Sequence, residues 1–249
     1  MGVRIWLLTI AACGLVVAAC SSDDNGGAGS GGSAGTGGSA GTGGEATSTV
    51  AGVVYDGDED GDPVAGAMVS VVGTQLSETT NATGQFTLEN VPNGATFFLS
   101  EASGYWSSVD YLDVPDETQS GVGLIVLPDA EVNAIATALS RTISTNDGIV
   151  LVTFEDAVGG ETASIGVSSD PPFTFNSSDE PVVQDELIAD VEGFGDLIYT
   201  SVSPDDGPIT VTVTGAPGMT SCFVDEIQGT MYPIVAKAIT IVYAYCVPQ

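Results

Sequence analysis

The chain of 249 residues is long enough for one large domain or two small ones, each able to bury a hydrophobic core. It carries 33 acidic residues against three basic ones and no histidine, which gives a formal net charge of −30. This charge excludes nucleic acid as a partner, because binding to phosphates requires many cationic contacts.

Residues 1–19 are predicted to form an export signal. A short stretch containing Arg4 precedes fifteen apolar residues, Ile5 to Ala19, a run shorter than the roughly 20 residues that a spanning helix needs and typical of a signal peptide. The run ends in Val17-Ala18-Ala19-Cys20, which resembles the lipobox of bacterial lipoproteins. The resemblance implies cleavage before Cys20 and lipidation of its thiol, with palmitate among the acyl chains that anchor the protein.

A second match to the lipobox, Ile10-Ala11-Ala12-Cys13, is rejected because cleavage there would leave an apolar stub on the mature protein. The alternatives are an uncleaved membrane anchor and a cysteine that is present there by chance. Residue 21 is Ser, whereas Asp after the lipidated cysteine retains lipoproteins in the inner membrane under the sorting rule of enteric bacteria. The resemblance therefore implies a protein of the cell envelope, anchored in the outer membrane rather than the inner one.

Residues 20–47 are predicted to form a flexible, disordered tether. Gly, Ser, Ala and Thr dominate it, and the unit Gly-Gly-Ser-Ala-Gly-Thr occurs twice, from Gly31 and from Gly37. These residue types cannot bury a core. About 25 of them give an end-to-end distance on the order of 25–30 Å, which lifts the folded part clear of the lipid.

Residues 48–128 show the pattern of an antiparallel β-sandwich. Short β-rich runs alternate with turn residues at the spacing typical of that fold. The predicted strands are Thr49–Tyr55, Ala67–Val72, Gln85–Glu89, Thr96–Glu101, Tyr105–Leu112 and Val122–Leu127.

Four landmarks in this stretch occur in a fixed order. They are PVAGAMVSV from Pro63, TTNATGQFTL from Thr79, NVPNG from Asn90, and the pair Gly104-Tyr105. Together they resemble the landmarks of the carboxypeptidase regulatory-like domain, and the resemblance implies a transthyretin-like sandwich of seven strands. It does not imply peptidase activity, because in the enzymes this module accompanies a separate zinc-dependent domain, and a chain without histidine lacks the usual zinc ligands.

The acidic segment Asp56-Gly57-Asp58-Glu59-Asp60-Gly61-Asp62 is a candidate calcium site. Asp at positions 1, 3 and 5 with Gly at position 6 copies the start of a calcium-binding loop, where alternate carboxylates converge on one cation. The twelfth position, where a bidentate Glu is expected, is Ala67. Asp56, Asp58, Asp60 and Asp62 are therefore the calcium candidates, and a solvated acidic turn is the alternative.

Trp106 is the one tryptophan beyond the export signal. Because neighbouring residues of a strand face opposite sides, Trp106 is expected to be exposed near Tyr111 if Tyr105 lies in the core. Exposed aromatic rings can stack on sugars, so Trp106 and Tyr111 are candidates for glycan binding. A partly buried core position is the alternative for Trp106.

Residues 129–147 are predicted to form a linker containing a helix. Four apolar residues follow helical spacing, and Asp129 is placed to cap the helix; these residues are Val132, Ile135, Ala136 and Leu139.

Residues 148–249 are predicted to form a second, divergent sandwich, with one larger β domain as the alternative. Its predicted strands are Ile149–Glu155, Ala163–Val167, Leu187–Val191, Leu197–Val202, Ile209–Thr214 and Ala238–Tyr245. Because an exported chain meets oxidising surroundings, Cys222 and Cys246 are predicted to form a disulfide. It would close a loop of about 25 residues and stabilise the fold by roughly 3 kcal/mol.

These features predict a non-catalytic, membrane-anchored surface lipoprotein whose β-sandwich modules make structural or adhesive contacts. No histidine is available as the base for a serine or cysteine nucleophile, and carboxylate pairs arise by chance in so acidic a chain. The expected partners are the membrane, through the lipid, and a glycan or protein of a cell surface. A carbohydrate-binding module and a calcium-dependent interaction protein are the alternative functions.

Overall fold

The structure is a computed structural model that describes residues 46–57, 61–189, 193–224 and 231–249. The strands of the first half are β1 (Thr47–Asp56), β2 (Met68–Val71), β3 (Ser77–Thr79), β4 (Gln85–Pro92), β5 (Gly94–Glu101), β6 (Tyr105–Val114) and β7 (Gln119–Pro128). Helix α1 (Asp129–Ala138) follows. The second half contains β8 (Gly148–Glu155), β9 (Thr162–Ser164), β10 (Phe173–Phe175), β11 (Pro181–Val183), β12 (Gly195–Val202), β13 (Thr212–Thr214), β14 (Thr220–Val224) and β15 (Ala238–Pro248).

The first half is a sandwich of two sheets. One sheet has the order β4–β1–β7, and the other contains β3, β2, β5 and β6. Alternate residues from both sheets meet in one core, among them Val54, Phe86 and Phe98. Gly52 allows β1 to lie beside β7, because a Cβ atom there would stand 2.0 Å from the carbonyl oxygen of Val122.

The second half is built on a sheet with the order β11–β10–β12–β8–β15. The outer edge of β15 is shared by two strands: Thr240 and its neighbours pair with β6, and residues 244–248 pair with β14. The pairing with β6 continues this sheet into the first sandwich. Because the start of β6 also pairs with the end of β7, 13 strands are hydrogen-bonded in one continuous network that joins the two halves. Strands β9 and β13 form a separate two-stranded ladder.

The predicted all-β sandwich class is confirmed, although the pairing is not antiparallel throughout. Strand β1 runs parallel to β7, and β15 runs parallel to both β8 and β6. Parallel strands are normally covered on both faces, and β8 follows this rule. Val150, Val152 and Phe154 face one core cluster, whereas Ile149 and Leu151 face another.

Helix α1 covers the second of these clusters. Val132 and Ile135 pack there with Trp106, Leu151 and Ile241. The expectation that Asp129 caps the helix is wrong, because Pro128 holds the N-cap position and Asp129 is the first helical residue.

The negative charge of Asp129 lies at the positive end of the helix dipole and pairs with Lys237, with 2.9 Å between Oδ1 and Nζ. Within the described residues, no helix is long and apolar enough to cross a membrane.

Candidate functional site

Several predicted site residues lie outside the described part of the chain. These are Cys20, with the export signal and most of the tether, and Asp58 and Asp60 of the acidic segment. Asp56 and Asp62 are described: the backbone N–H of Asp56 donates to the carbonyl of Asp62 at 2.8 Å. The Tyr105 hydroxyl donates to Oδ2 of Asp56 at 3.0 Å, so one carboxylate oxygen is already held from within the fold. Calcium binding by this segment stays a prediction.

The expectation that Trp106 is exposed is wrong. Its side chain is 3% exposed and packs in the core cluster beneath α1. Tyr111 packs edge to face on Phe97, with 5.5 Å between ring centroids, and Phe97 belongs to the cluster on the other face of the sheet. Even and odd residues of β6 point apart, so Trp106 and Tyr111 cannot form one platform for a sugar.

The predicted disulfide between Cys222 and Cys246 is confirmed. The two cysteines are directly opposite each other on β14 and β15.

Next to the two cysteines lies the fully buried carboxylate of Glu161. It accepts hydrogen bonds from the backbone N–H groups of residues 158 and 159 and from the Thr220 hydroxyl. A buried charge needs such partners, and here the partners tie the loop before β9 to β14.

The sheet face that carries α1 continues beyond the helix as a surface that we call the open face. On β8 and β15, the apolar residues under the helix give way to polar and aromatic residues of the same parity. Seven residues of β6, β8, β12, β14 and β15 define the open face: Asp110, Thr153, Glu155, Asp196, Phe223, Tyr243 and Tyr245.

Strand register fixes the arrangement of these residues. Thr153 lies opposite Asp196 on one side and opposite Tyr243 on the other. In the next row Tyr245 lies between Glu155 and Phe223. The Thr153 hydroxyl donates to Oδ1 of Asp196 at 2.9 Å. On the open face, aromatic rings and carboxylates therefore lie next to one another.

The aromatic side chains of the open face are accessible to a partner. Phe223 is 51% exposed and Tyr243 is 38% exposed. The rings of Phe223 and Tyr245 stack with 6.2 Å between centroids and an angle of 30°. On the same face, Val247 is 47% exposed. Exposed aromatic rings grouped in this way mark a surface suited to contact.

The carboxylates of the open face are poorly solvated. Burial raises the pKa of Asp110 to about 7, against the effect of the Ser108 hydroxyl, which donates to its Oδ2 at 2.6 Å. Burial and then the charge of Asp156 raise the pKa of Glu155. Partial burial and then the neighbouring Asp110 raise the pKa of Tyr243 above its usual range. The surroundings thus disfavour the negative charges that this face carries at neutral pH.

Sequence reasoning missed the open face. The period-two spacing of Tyr243 and Tyr245 within a predicted strand was the available signal, since it places both rings on one side. What the spacing could not indicate is that this side is left uncovered by α1.

Comparison with known proteins agrees with the fold of the first half. Residues 49–128, about a third of the chain, match the family model of the carboxypeptidase regulatory-like domain, which confirms the resemblance seen in the sequence. No curated protein matches the chain.

Three solved structures are weakly similar to the chain. A cohesin–X-dockerin complex of Acetivibrio cellulolyticus is 19% identical, with 36% of this chain and 73% of that chain covered, at a TM-score of 0.29. The Bacillus anthracis TIE protein is 17% identical, with 82% and 35% covered, at 0.27. The shaft pilin SpaA of Lactobacillus rhamnosus GG is 15% identical, with 82% and 98% covered, at 0.25.

Proposed function

We propose that the protein is a non-catalytic lipoprotein of the cell envelope, anchored through Cys20, which presents two joined β-sandwich lobes for structural or adhesive contact. The lobes are residues 48–128 and 148–249, connected by the segment 129–147. The tether of residues 20–47 separates them from the membrane. The outer membrane is the proposed location, because Ser rather than Asp follows Cys20.

The observation that carries this proposal is the continuous sheet between the lobes. Strand β15 pairs with β6 of the first lobe and with β8 of the second. The ion pair between Lys237 and Asp129 adds a contact next to this junction. Backbone hydrogen bonds along this sheet hold the two lobes in one arrangement, which suits a structural or adhesive part.

The composition supports a role without catalysis. The chain has no histidine, and its two bases beyond residue 19 are Arg141 and Lys237. Arg141 donates to the carbonyl of Pro171 at 2.7 Å, and Lys237 is paired with Asp129. The usual base or cation of a hydrolytic site is therefore not offered by these side chains.

Attachment of the producing cells tests the proposal. We compare wild type with Cys20→Ser and with Cys13→Ser, which removes the rejected lipobox cysteine as the matched control. Cells are scored for aggregation and for attachment to immobilised proteins, and the protein is located by fractionation. Wild type and Cys13→Ser should attach, whereas Cys20→Ser should lose attachment and leave the membrane fraction. Unchanged attachment on deletion of the whole chain would refute the proposal.

A further inference from the structure

We infer that the open face binds a basic segment of a partner protein, with Lys or Arg side chains against Tyr243, Tyr245 and Phe223. The inference rests on the proposed function, because it specifies the chemistry of the partner that the two lobes would contact. It adds a binding surface formed mainly by strands of the second lobe, outside the part of the chain that matches a known domain, with Asp110 contributed by β6 of the first lobe.

Among the residues that the structure describes, the open face continues a buried surface into a partly exposed one. Ile149 and Leu151 of β8 are covered by the cluster that includes α1. Thr153 and Glu155, two and four residues further along the same side of the strand, are only partly buried. Beyond them Phe223 is half exposed. A sheet face that passes from covered to exposed while keeping its large side chains is a surface on which another segment can pack.

Charge complementarity selects a cationic partner. Asp110 and Glu155 border the aromatic rings and are themselves partly buried. The bases Lys237 and Arg141 are engaged with Asp129 and with the carbonyl of Pro171. A cation from outside would both relieve these buried negative charges and lie against the electron-rich ring faces. The net charge of −30 attracts such a partner from a distance.

The spacing of the rings suits an extended segment. Tyr243 and Tyr245 are two residues apart on one strand and face the same side, so their Cα atoms lie about 7 Å apart. In an extended peptide, alternate side chains have the same spacing. Cations at every second residue of a partner segment would therefore fall in register with the two rings.

Peptide titration tests the inference on the full chain purified in detergent. The probe is a fluorescent peptide with Arg at every second residue, and its control replaces each Arg with citrulline, which has the same shape without the charge. At 150 mM salt, where the Debye length is about 8 Å, the Arg peptide should bind at least ten-fold more tightly than the citrulline peptide. Equal affinity for the two peptides overturns the inference.

Variants locate the binding to the open face. Tyr243→Ser should weaken binding of the Arg peptide by about five-fold or more, whereas Tyr243→Phe, which keeps the ring, should restore it. Asp110→Asn should weaken binding more than Asp113→Asn, which removes the same charge from an exposed position on the same strand. If Asp113→Asn has the larger or an equal effect, the attraction is general and the site does not exist.

A glycan is the competing occupant, and a separate titration distinguishes it. A panel of neutral oligosaccharides should leave the tyrosine fluorescence and the peptide affinity unchanged. Displacement of the Arg peptide by a neutral sugar would overturn the inference in favour of a glycan site. Failure of the Arg peptide to bind can be distinguished from failure of the proposed function. The effect of Cys20→Ser on the attachment of cells does not depend on which surface of the protein makes the contact.

Discussion

Replacing Asp110 with Asn is expected to stabilise the folded protein at neutral and higher pH. Burial raises the pKa of this carboxyl from 3.8 to about 7. Between these values the folded state holds a proton that the unfolded state has lost, so the contribution of Asp110 to stability falls as the pH rises through this window. Above pH 7 the side chain is ionised in both states, and the full cost of the buried charge is present.

The size of the stabilisation by Asp110→Asn follows from the difference between the pKa of Asp110 in the unfolded and in the folded state. The difference between 3.8 and about 7 corresponds to roughly 4 kcal/mol, at about 1.4 kcal/mol for each pH unit. Because Asp110 is only partly buried, solvent screening reduces this figure, and we expect about 2 kcal/mol. Asn keeps an oxygen that can accept from the Ser108 hydroxyl, so the substitution removes the charge while preserving the hydrogen bond.

Urea unfolding at pH 4, 5.5, 7 and 8.5 measures the effect. The stability advantage of Asp110→Asn over wild type should grow by about 2 kcal/mol between pH 4 and pH 8.5. Asp113→Asn is the control for the loss of one charge from a highly acidic protein, and its advantage should change by less than about 0.5 kcal/mol. Parallel stability curves for Asp110→Asn and wild type would show that burial does not raise the pKa of Asp110, as would equal effects of the two substitutions.

Three other parts of the fold give separate expectations. Replacing Cys222 and Cys246 together with Ala should lower the free energy of unfolding by about 3 kcal/mol, and dithiothreitol should then have no further effect. Trp106→Ala should cost about 3–5 kcal/mol in urea unfolding because the ring is buried in a core cluster; strong iodide quenching of the wild-type tryptophan in the mature protein would contradict this placement. Lys237 has a positive φ of 54°, so Lys237→Gly should be about 1 kcal/mol more stable than Lys237→Ala, and equal melting of the two would show that the ion pair with Asp129 alone sets the cost.

The first lobe could be predicted from local signals. Turn residues and alternating apolar positions located most of its strands, and β6 begins at Tyr105 as expected. The short strand β3 was missed, because Ser77–Thr79 is exposed throughout and shows no alternation.

The second lobe gave weaker signals. Its long strands β8, β12 and β15 were recognised as apolar runs, since a large part of each is covered on both faces. Three-residue strands such as Phe173–Phe175 are too short for a period to be recognised. No strand forms over residues 187–189 of the predicted strand Leu187–Val191, although Leu187 is buried in the core.

The joint between the lobes could not be predicted, because it depends on long-range pairing. Val109 of β6 and Thr240 of β15 are neighbours in the sheet although they are far apart in the chain. This pairing places Trp106 beneath α1 and leaves Tyr243 partly exposed. Alternation in a strand predicts which residues share a side, but only the packing of other elements decides which side is covered.

Mass spectrometry of the protein purified from membranes tests most directly the claim that a lipid on Cys20 holds the sandwich lobes at the cell envelope. We expect a mature chain that begins at Cys20 and carries the mass of two or three acyl chains on that residue. An unmodified Cys20, or a mature chain that retains residues 1–19, would contradict it.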